Sequence, residues 1–236
     1  MKPLIALFQF TTVIPLGKPR DFEAFARHSY LYPLAGYLIG LLVALPVFFI
    51  TNSAIAAAVA VAGVILLSGA NHFDGLLDFG DGLMAHGDRE KRIRALTDRQ
   101  VGAGGVAAGM VVLLLLFAGL QSSASLVCAI IIGEVGAKFS MSFLTAFGVP
   151  FREGIHSYLH QYSKPYFPVL SLILCIPLVF LPVKPAALAM AAAVMILCPL
   201  ILILISKRLF GGVNGDVVGA SNEITRAMVI VAMALI

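Results

Sequence analysis

Charge is what this sequence has least of. Only 12% of its 236 residues are Asp, Glu, Lys or Arg, about half the share in an average soluble protein. A soluble domain of this length needs a larger charged surface. Cysteine is also scarce: Cys128, Cys175 and Cys198 are odd in number, lie inside apolar runs and lack C-x-x-C spacing. That argues against a disulfide framework or a thiolate metal centre and for small apolar packing residues. No Gly/Ser/Pro-rich linker or low-complexity tract divides the chain, so one membrane-embedded domain over 1–236 is expected. No small-residue cleavage site follows the first apolar stretch, MKPLIALFQFTTVIP, so no cleavable signal peptide is expected.

What the chain has in abundance is apolar length. Sixty per cent of its residues are hydrophobic and its mean hydropathy is +1.00. Seven apolar segments stand at about 31–50, 54–70, 105–120, 124–147, 167–183, 186–205 and 219–236. The expected fold is therefore all-α, a polytopic membrane bundle of six to seven transmembrane helices in contact with the lipid bilayer. The first 15 residues are too short to cross and read as an interfacial helix. Segment 105–120 is short, so its helix is expected to begin a few residues earlier. The last segment spans only if its helix begins near Gly219 and carries Asn222, Glu223 and Arg226 with it.

Basic residues set the orientation. With the N-terminus in the cytoplasm, 14 of the 16 basic residues fall on the cytoplasmic side, Arg226 among them. Lys184 falls opposite and Lys138 within a segment. This alternation accounts for the pI near 9.1, so no nucleic-acid partner is expected. Eleven of the 12 acidic residues share the cytoplasmic side, Glu134 being the exception, so an active site facing the cytoplasm from the cell membrane is expected.

The acidic residues are concentrated in HFDGLLDFGDG, residues 72–82. On a helix, Asp74, Asp78 and Asp81 stand at i, i+4 and i+7 and share one face. Like charges at that spacing repel, and poor screening near a bilayer makes it worse. A solvated acidic loop conflicts with the intervening Phe73, Leu76, Leu77 and Phe79. Separate caps or turn aspartates beside Gly75, Gly80 and Gly82 remain an alternative. The reading that supplies the missing countercharge is a hard divalent cation such as Mg²⁺, which takes carboxylate oxygens and leaves positions for phosphate. His72 stands two residues before the first aspartate, within reach of a substrate phosphate.

A second acidic set lies in GGVNGDVVGASNE, residues 211–223. Asp216 and Glu223 are again i, i+7, and Gly215 and Gly219 allow close backbone approach to a ligand. The alternative is a glycine-rich turn with Asp216 as a cap. Two converging carboxylate groups suit one or two divalent ions holding a diphosphate. The basic run DREKRIRALTDRQVGAGG, residues 88–105, opens with Asp88 as a helix cap and is mostly a solvated or lipid-headgroup face. Arg99, beside the glycine turn that includes Gly102, reads as a phosphate clamp. Glu134 and Lys138, at i, i+4 inside a span, read equally as a functional site and as a self-neutralising structural pair. His156 and His160 lack the Glu of H-E-x-x-H, so a zinc site is not favoured.

These motifs resemble those of the cobalamin synthase family, the adenosylcobinamide-GDP ribazoletransferases. HFDGLLDFGDG resembles its H-x-D-G-x-x-D-x-x-D-G signature. FTTVIP (10–15), YPLAGYLIG (32–40), TDRQVGAGG (97–105) and GDVVGASNE (215–223) resemble its other landmarks in the same order. The resemblance implies an Mg²⁺-dependent transfer from adenosylcobinamide-GDP to α-ribazole or its 5′-phosphate, with release of GMP. With that reaction, Asp74, Asp78 and Asp216 are expected as metal ligands, with Glu223 as a further one. Asp81 stands as candidate base and also within the metal set. Arg99 would hold the phosphate that becomes GMP, and His72, Gly102, Gly215, Gly219 and Asn222 would contact substrate. A homo-oligomer is left open. A CDP-alcohol phosphotransferase fits less well, because the Ala-Arg pair of its signature is missing after Asp74-Gly75. A divalent cation transporter is the other alternative, and it requires carboxylates near the midplane.

Overall fold

The computed structural model describes residues 2–236. Twelve α-helices are present among them: α1 (Lys2–Thr11), α2 (Phe22–Ala26), α3 (Tyr32–Val47), α4 (Ser53–Leu67), α5 (Asn71–Met84), α6 (Arg89–Leu96), α7 (Ala103–Ser122), α8 (Leu126–Phe147), α9 (Ile155–Tyr162), α10 (Phe167–Cys175), α11 (Pro185–Leu209) and α12 (Gly215–Ala234). The described residues contain no strand, only an isolated parallel bridge between Pro150 and Val213. The chain is thus an all-α membrane bundle, as its hydropathy demands.

Five helical stretches are long and apolar enough to cross a bilayer: Ser29–Val47, α7, α8, Pro185–Phe210 and α12. Two further pairs, α4 with α5 and α9 with α10, qualify only together, and each is bent by 94° at a short break. These seven correspond to the seven apolar segments. Helix α1 has 10 residues, too few to span. Helix α7 begins at Ala103, ahead of the apolar run, as expected. Helix α12 begins earlier than Gly219: Asn214 caps it, its side chain accepting from Val217 N–H at 3.1 Å. The resulting 20 residues reach about 30 Å, enough to cross. Segment 167–183 is α-helical only to Cys175 and continues as a 3₁₀ turn over Ile176–Phe180. Pro177 has no N–H with which to continue the α-helical ladder.

Helix α8 is the axis of the bundle, buried along most of its length. Lipid tails are as apolar as Leu, so close backbone packing, not hydrophobic burial, holds membrane helices together. Small residues supply it here. A Cβ on Gly36 of α3 would stand 2.7 Å from Glu134 O, and one on Gly40 3.1 Å from Ile131 Cα. On α8 itself, a Cβ on Gly133 would meet Ile230 of α12 at 2.6 Å, and one on Gly136 would meet Met195 of α11 at 2.8 Å. The opposite face of α11 exposes Leu197, Ile201 and Leu204, as a lipid-facing helix does.

Helices α5 and α9 are the arms of the bent pairs that leave the spans. Gly69 and Ala70, both at positive φ, turn the chain from α4 into α5. Helix α5 then packs against the first turns of α7 and α12. A Cβ on Gly80 would fall 2.9 Å from Gly104 O, and one on Gly75 2.8 Å from Asp216 O. Helix α9 is tied to the end of α8, whose last carbonyls have no partner within the helix. His156 Nε2 reaches Gly148 O at 2.8 Å, and His160 Nδ1 reaches Thr145 O at 2.9 Å. The paired histidines thus cap a helix. The starts of α7 and α12, the end of α8 and the arms α5 and α9 all meet on one side of the bundle.

Candidate active site

At that meeting point lies an open bowl of about 480 Å³, lined among others by Asp74, Asp78, Arg99, Arg152, Gly215 and Asp216. Helix α5 supplies Asp74 and Asp78, one turn apart, and the Gly75 contact brings them beside the first turn of α12, which supplies Asp216. Asn214 positions Asp216 by donating to its Oδ2 at 2.6 Å. The bridge between Pro150 and Val213 holds the loop carrying Arg152 against the segment that leads into α12.

The bowl is unbalanced in charge. Asp98 and Glu153 also line it, so five carboxylates face two guanidinium groups. Among the described residues, neither Asp74 nor Asp78 has an ion-pair partner. Burial, followed by the neighbouring Asp216, Asp74 and Asp81 carboxylates, pushes Asp78 up to about 7. Unneutralised carboxylates at close quarters resist ionisation in this way.

The remaining acidic residues of the two motifs lie elsewhere, and helix geometry explains why. Residues at i and i+7 share a direction but stand about 10.5 Å apart along the axis. Asp81, seven residues after Asp74, therefore reaches α7. Its carboxylate accepts from Gly102 N–H at 2.7 Å and from Gly105 N–H at 2.8 Å. Gly102 has no side chain with which to cap α7, and Asp81 supplies the cap from a neighbouring helix. The glycines make room for it: a Cβ on Gly102 would stand 2.5 Å from Asp81 Oδ1.

Glu223, seven residues into α12 from Asp216, lies inside the bundle. It pairs with Arg226, and Arg226 in turn pairs with Glu134. Lys138 donates to Asn222 Oδ1 at 2.6 Å, and Asn222 donates to Glu223 Oε1 at 2.9 Å. Two acids and two bases thus neutralise one another in a fully buried network. Arg226 belongs to it, and not to the aqueous face to which its place in the sequence assigned it. His72 and Gly219 do not line the bowl. They line a smaller cavity behind it, which Gly215 and Asp216 share.

Sequence reasoning counted Arg152 for orientation only and passed over Asn214. The signal for Arg152 was a cation beside Glu153 in a loop on the acidic side of the membrane. Asn214 was legible as a cap before Gly215-Asp216.

Among the described residues, no three His, Cys, Asp or Glu side chains form a preassembled metal cage. Mg²⁺ does not need one, because it is commonly held by one or two carboxylates together with substrate phosphates and water. A bowl of hard oxygen donors with excess negative charge fits that ion.

Residues 3–234 match the family described as Cobalamin-5-phosphate synthase. A relative from Methanocella arvoryzae is 38% identical, over 94% of this chain and 91% of its own. One from Archaeoglobus fulgidus is 36% identical over 100% and 98%, and one from Methanococcoides burtonii 33% identical over 97% and 90%. All three are named adenosylcobinamide-GDP ribazoletransferase. No solved structure matches the chain. The family model and these relatives, over nearly the whole length, show that the chain belongs to the cobalamin-5-phosphate synthase family.

Proposed function

We propose that the protein transfers the adenosylcobinamide phosphate group of adenosylcobinamide-GDP to α-ribazole or its 5′-phosphate and releases GMP. The observation that carries this reading is the bowl, where Asp74, Asp78 and Asp216 face Arg99 and Arg152. That arrangement suits a diphosphate, which needs a cation on one side and planar donors on the other.

The donor set supports Asp74 and Asp216 as the residues that would hold Mg²⁺. When bound, the ion neutralises the diphosphate and the charge that grows on the departing phosphate. Arg99 and Arg152 clamp the phosphate that leaves as GMP. Asp78 lines the bowl one turn from Asp74 and stands in no ion pair, so it is placed to accept a proton. It takes the proton of the acceptor hydroxyl as that oxygen attacks the phosphorus carrying cobinamide. The new P–O bond forms as the P–O bond to GMP breaks. Asp81 serves by fixing the start of α7, and Glu223 by joining the buried network.

The bowl opens on the side carrying the basic loops. By the bias of basic residues this is the cytoplasm, and both substrates would enter from there to a multi-pass enzyme of the cell membrane. Carboxylates gathered at one end of the bundle give no support to an ion path through the midplane.

The test is turnover in liposomes with adenosylcobinamide-GDP, α-ribazole 5′-phosphate and Mg²⁺. Equal amounts of GMP and cobalamin 5′-phosphate are expected, and neither should appear without the divalent ion. Folded protein that forms no GMP with any divalent ion contradicts the proposal.

A further inference from the structure

The smaller cavity behind the bowl has a volume of about 170 Å³. Phe10, Met141, Leu159 and Val218 give it apolar walls, Tyr32 and Asn71 add polar groups, and His72 and His156 supply imidazoles. It adjoins the bowl through His156, Gly215 and Asp216, which line both.

The imidazoles are the unusual feature. His72 is 7% exposed and His156 2% exposed, and the Nδ1 of each lacks a hydrogen-bond partner. Buried polar atoms are rarely left in that state, and each such atom asks for an explanation. For His156 the tautomer follows from its other nitrogen. Nε2 faces Gly148 O at 2.8 Å, and a carbonyl only accepts, so Nε2 carries the proton and Nδ1 presents a lone pair. His72 Nδ1 has no such constraint and is free to carry a proton. An apolar chamber with a few oriented polar atoms is the usual form of a small-molecule site.

Resting on the transferase reading above, we infer that this chamber seats the heteroaromatic base of the acceptor nucleoside, with the ribose at the shared mouth. The base of ribazole is a planar, mostly apolar bicycle with one free ring nitrogen. An apolar cavity of about 150 Å³ accommodates a benzene ring, so this chamber takes most of the bicycle and leaves its sugar edge at the opening. The ring nitrogen accepts from His72 Nδ1–H, and a ribose hydroxyl donates to the His156 Nδ1 lone pair. Because Asp216 walls both cavities, a nucleoside seated this way has its hydroxyls beside the bowl carboxylates, where the phosphorus is held. The corrinoid is far too large for it. The chamber's size and its two imidazoles would then set which bases the enzyme accepts.

The test uses full-length protein in micelles with ¹³C-methyl methionine, the Met141 signal being assigned with Met141→Leu. Adding α-ribazole without the nucleotide-activated substrate should shift the Met141 methyl saturably, by ring current. Val218→Phe, which fills the chamber, should abolish that shift. In turnover, His156→Gln keeps a donor to Gly148 O and removes the Nδ1 acceptor. It should raise KM for α-ribazole about tenfold. Wild-type protein that turns over while Met141 stays silent overturns the chamber assignment and leaves the transferase reading intact. So does turnover in which His156→Gln and Val218→Phe keep the wild-type KM for α-ribazole. Wild-type protein with neither turnover nor a Met141 shift defeats both, whereas a shift without turnover defeats the transferase reading alone.

Discussion

Arg226 of α12 forms an ion pair with Glu134 of α8 at a depth where both side chains are almost completely buried. It pairs with Glu223 as well, so one guanidinium answers two carboxylates, and Lys138 supplies the second positive charge. Removing one partner of a buried pair leaves a charge uncompensated, at a cost of about 3–5 kcal/mol. Arg226→Met is therefore expected to lower the stability of the bundle by about that amount. Arg226→Lys should cost less, keeping the charge but losing the planar fork. Circular dichroism during unfolding in mixed micelles measures both, and an unchanged midpoint for Arg226→Met contradicts the network's structural role.

Much of this architecture was legible in the residues. The apolar runs located the five crossing helices and the two bent pairs, and the 74–78–81 spacing placed those aspartates on one helix. What spacing alone does not convey is distance along the axis. Asp81 and Glu223 share a face with Asp74 and Asp216 respectively, yet lie about two turns further along. One therefore meets the start of α7 and the other the bundle interior. Nor did the sequence reveal that Arg152 joins the bowl, because a backbone bridge between distant loops, Pro150 with Val213, brings it there.

Asp81 and Asp78 are expected to behave differently on substitution. Asp81→Ala strips the cap from α7 and should cost about 1–2 kcal/mol of stability, read as a lower thermal midpoint in detergent. Asp78→Asn removes a carboxylate that stands in no ion pair, so its midpoint should match or exceed that of the wild type. The reverse ranking of the two midpoints would place the structural aspartate at position 78.

His156 provides a pH signature. Burial is the main cause that pushes it down to about 4, with the bond to Gly148 O opposing and His160 contributing. Between pH 6.5 and about 4 the unfolded chain binds a proton that the folded chain refuses. Folded stability therefore falls as pH drops through that window and levels off below it, by on the order of 3 kcal/mol in all. His156→Gln should remove that part of the slope. Histidine ¹³Cε1 shifts in micelles check the assignment directly, and a His156 signal that titrates near 6.5 contradicts it.

The central claim is that the carboxylate bowl performs metal-assisted phosphoryl transfer, and GMP release against Mg²⁺ concentration tests it most directly. Wild type, Asp78→Asn and Asp216→Asn would be compared after confirming that each variant is folded. The account predicts that Asp78→Asn lowers kcat by about 10²–10⁴ with little change in the Mg²⁺ concentration required. Asp216→Asn should raise that concentration. Folded variants that release GMP at the wild-type rate with the wild-type Mg²⁺ dependence would contradict it.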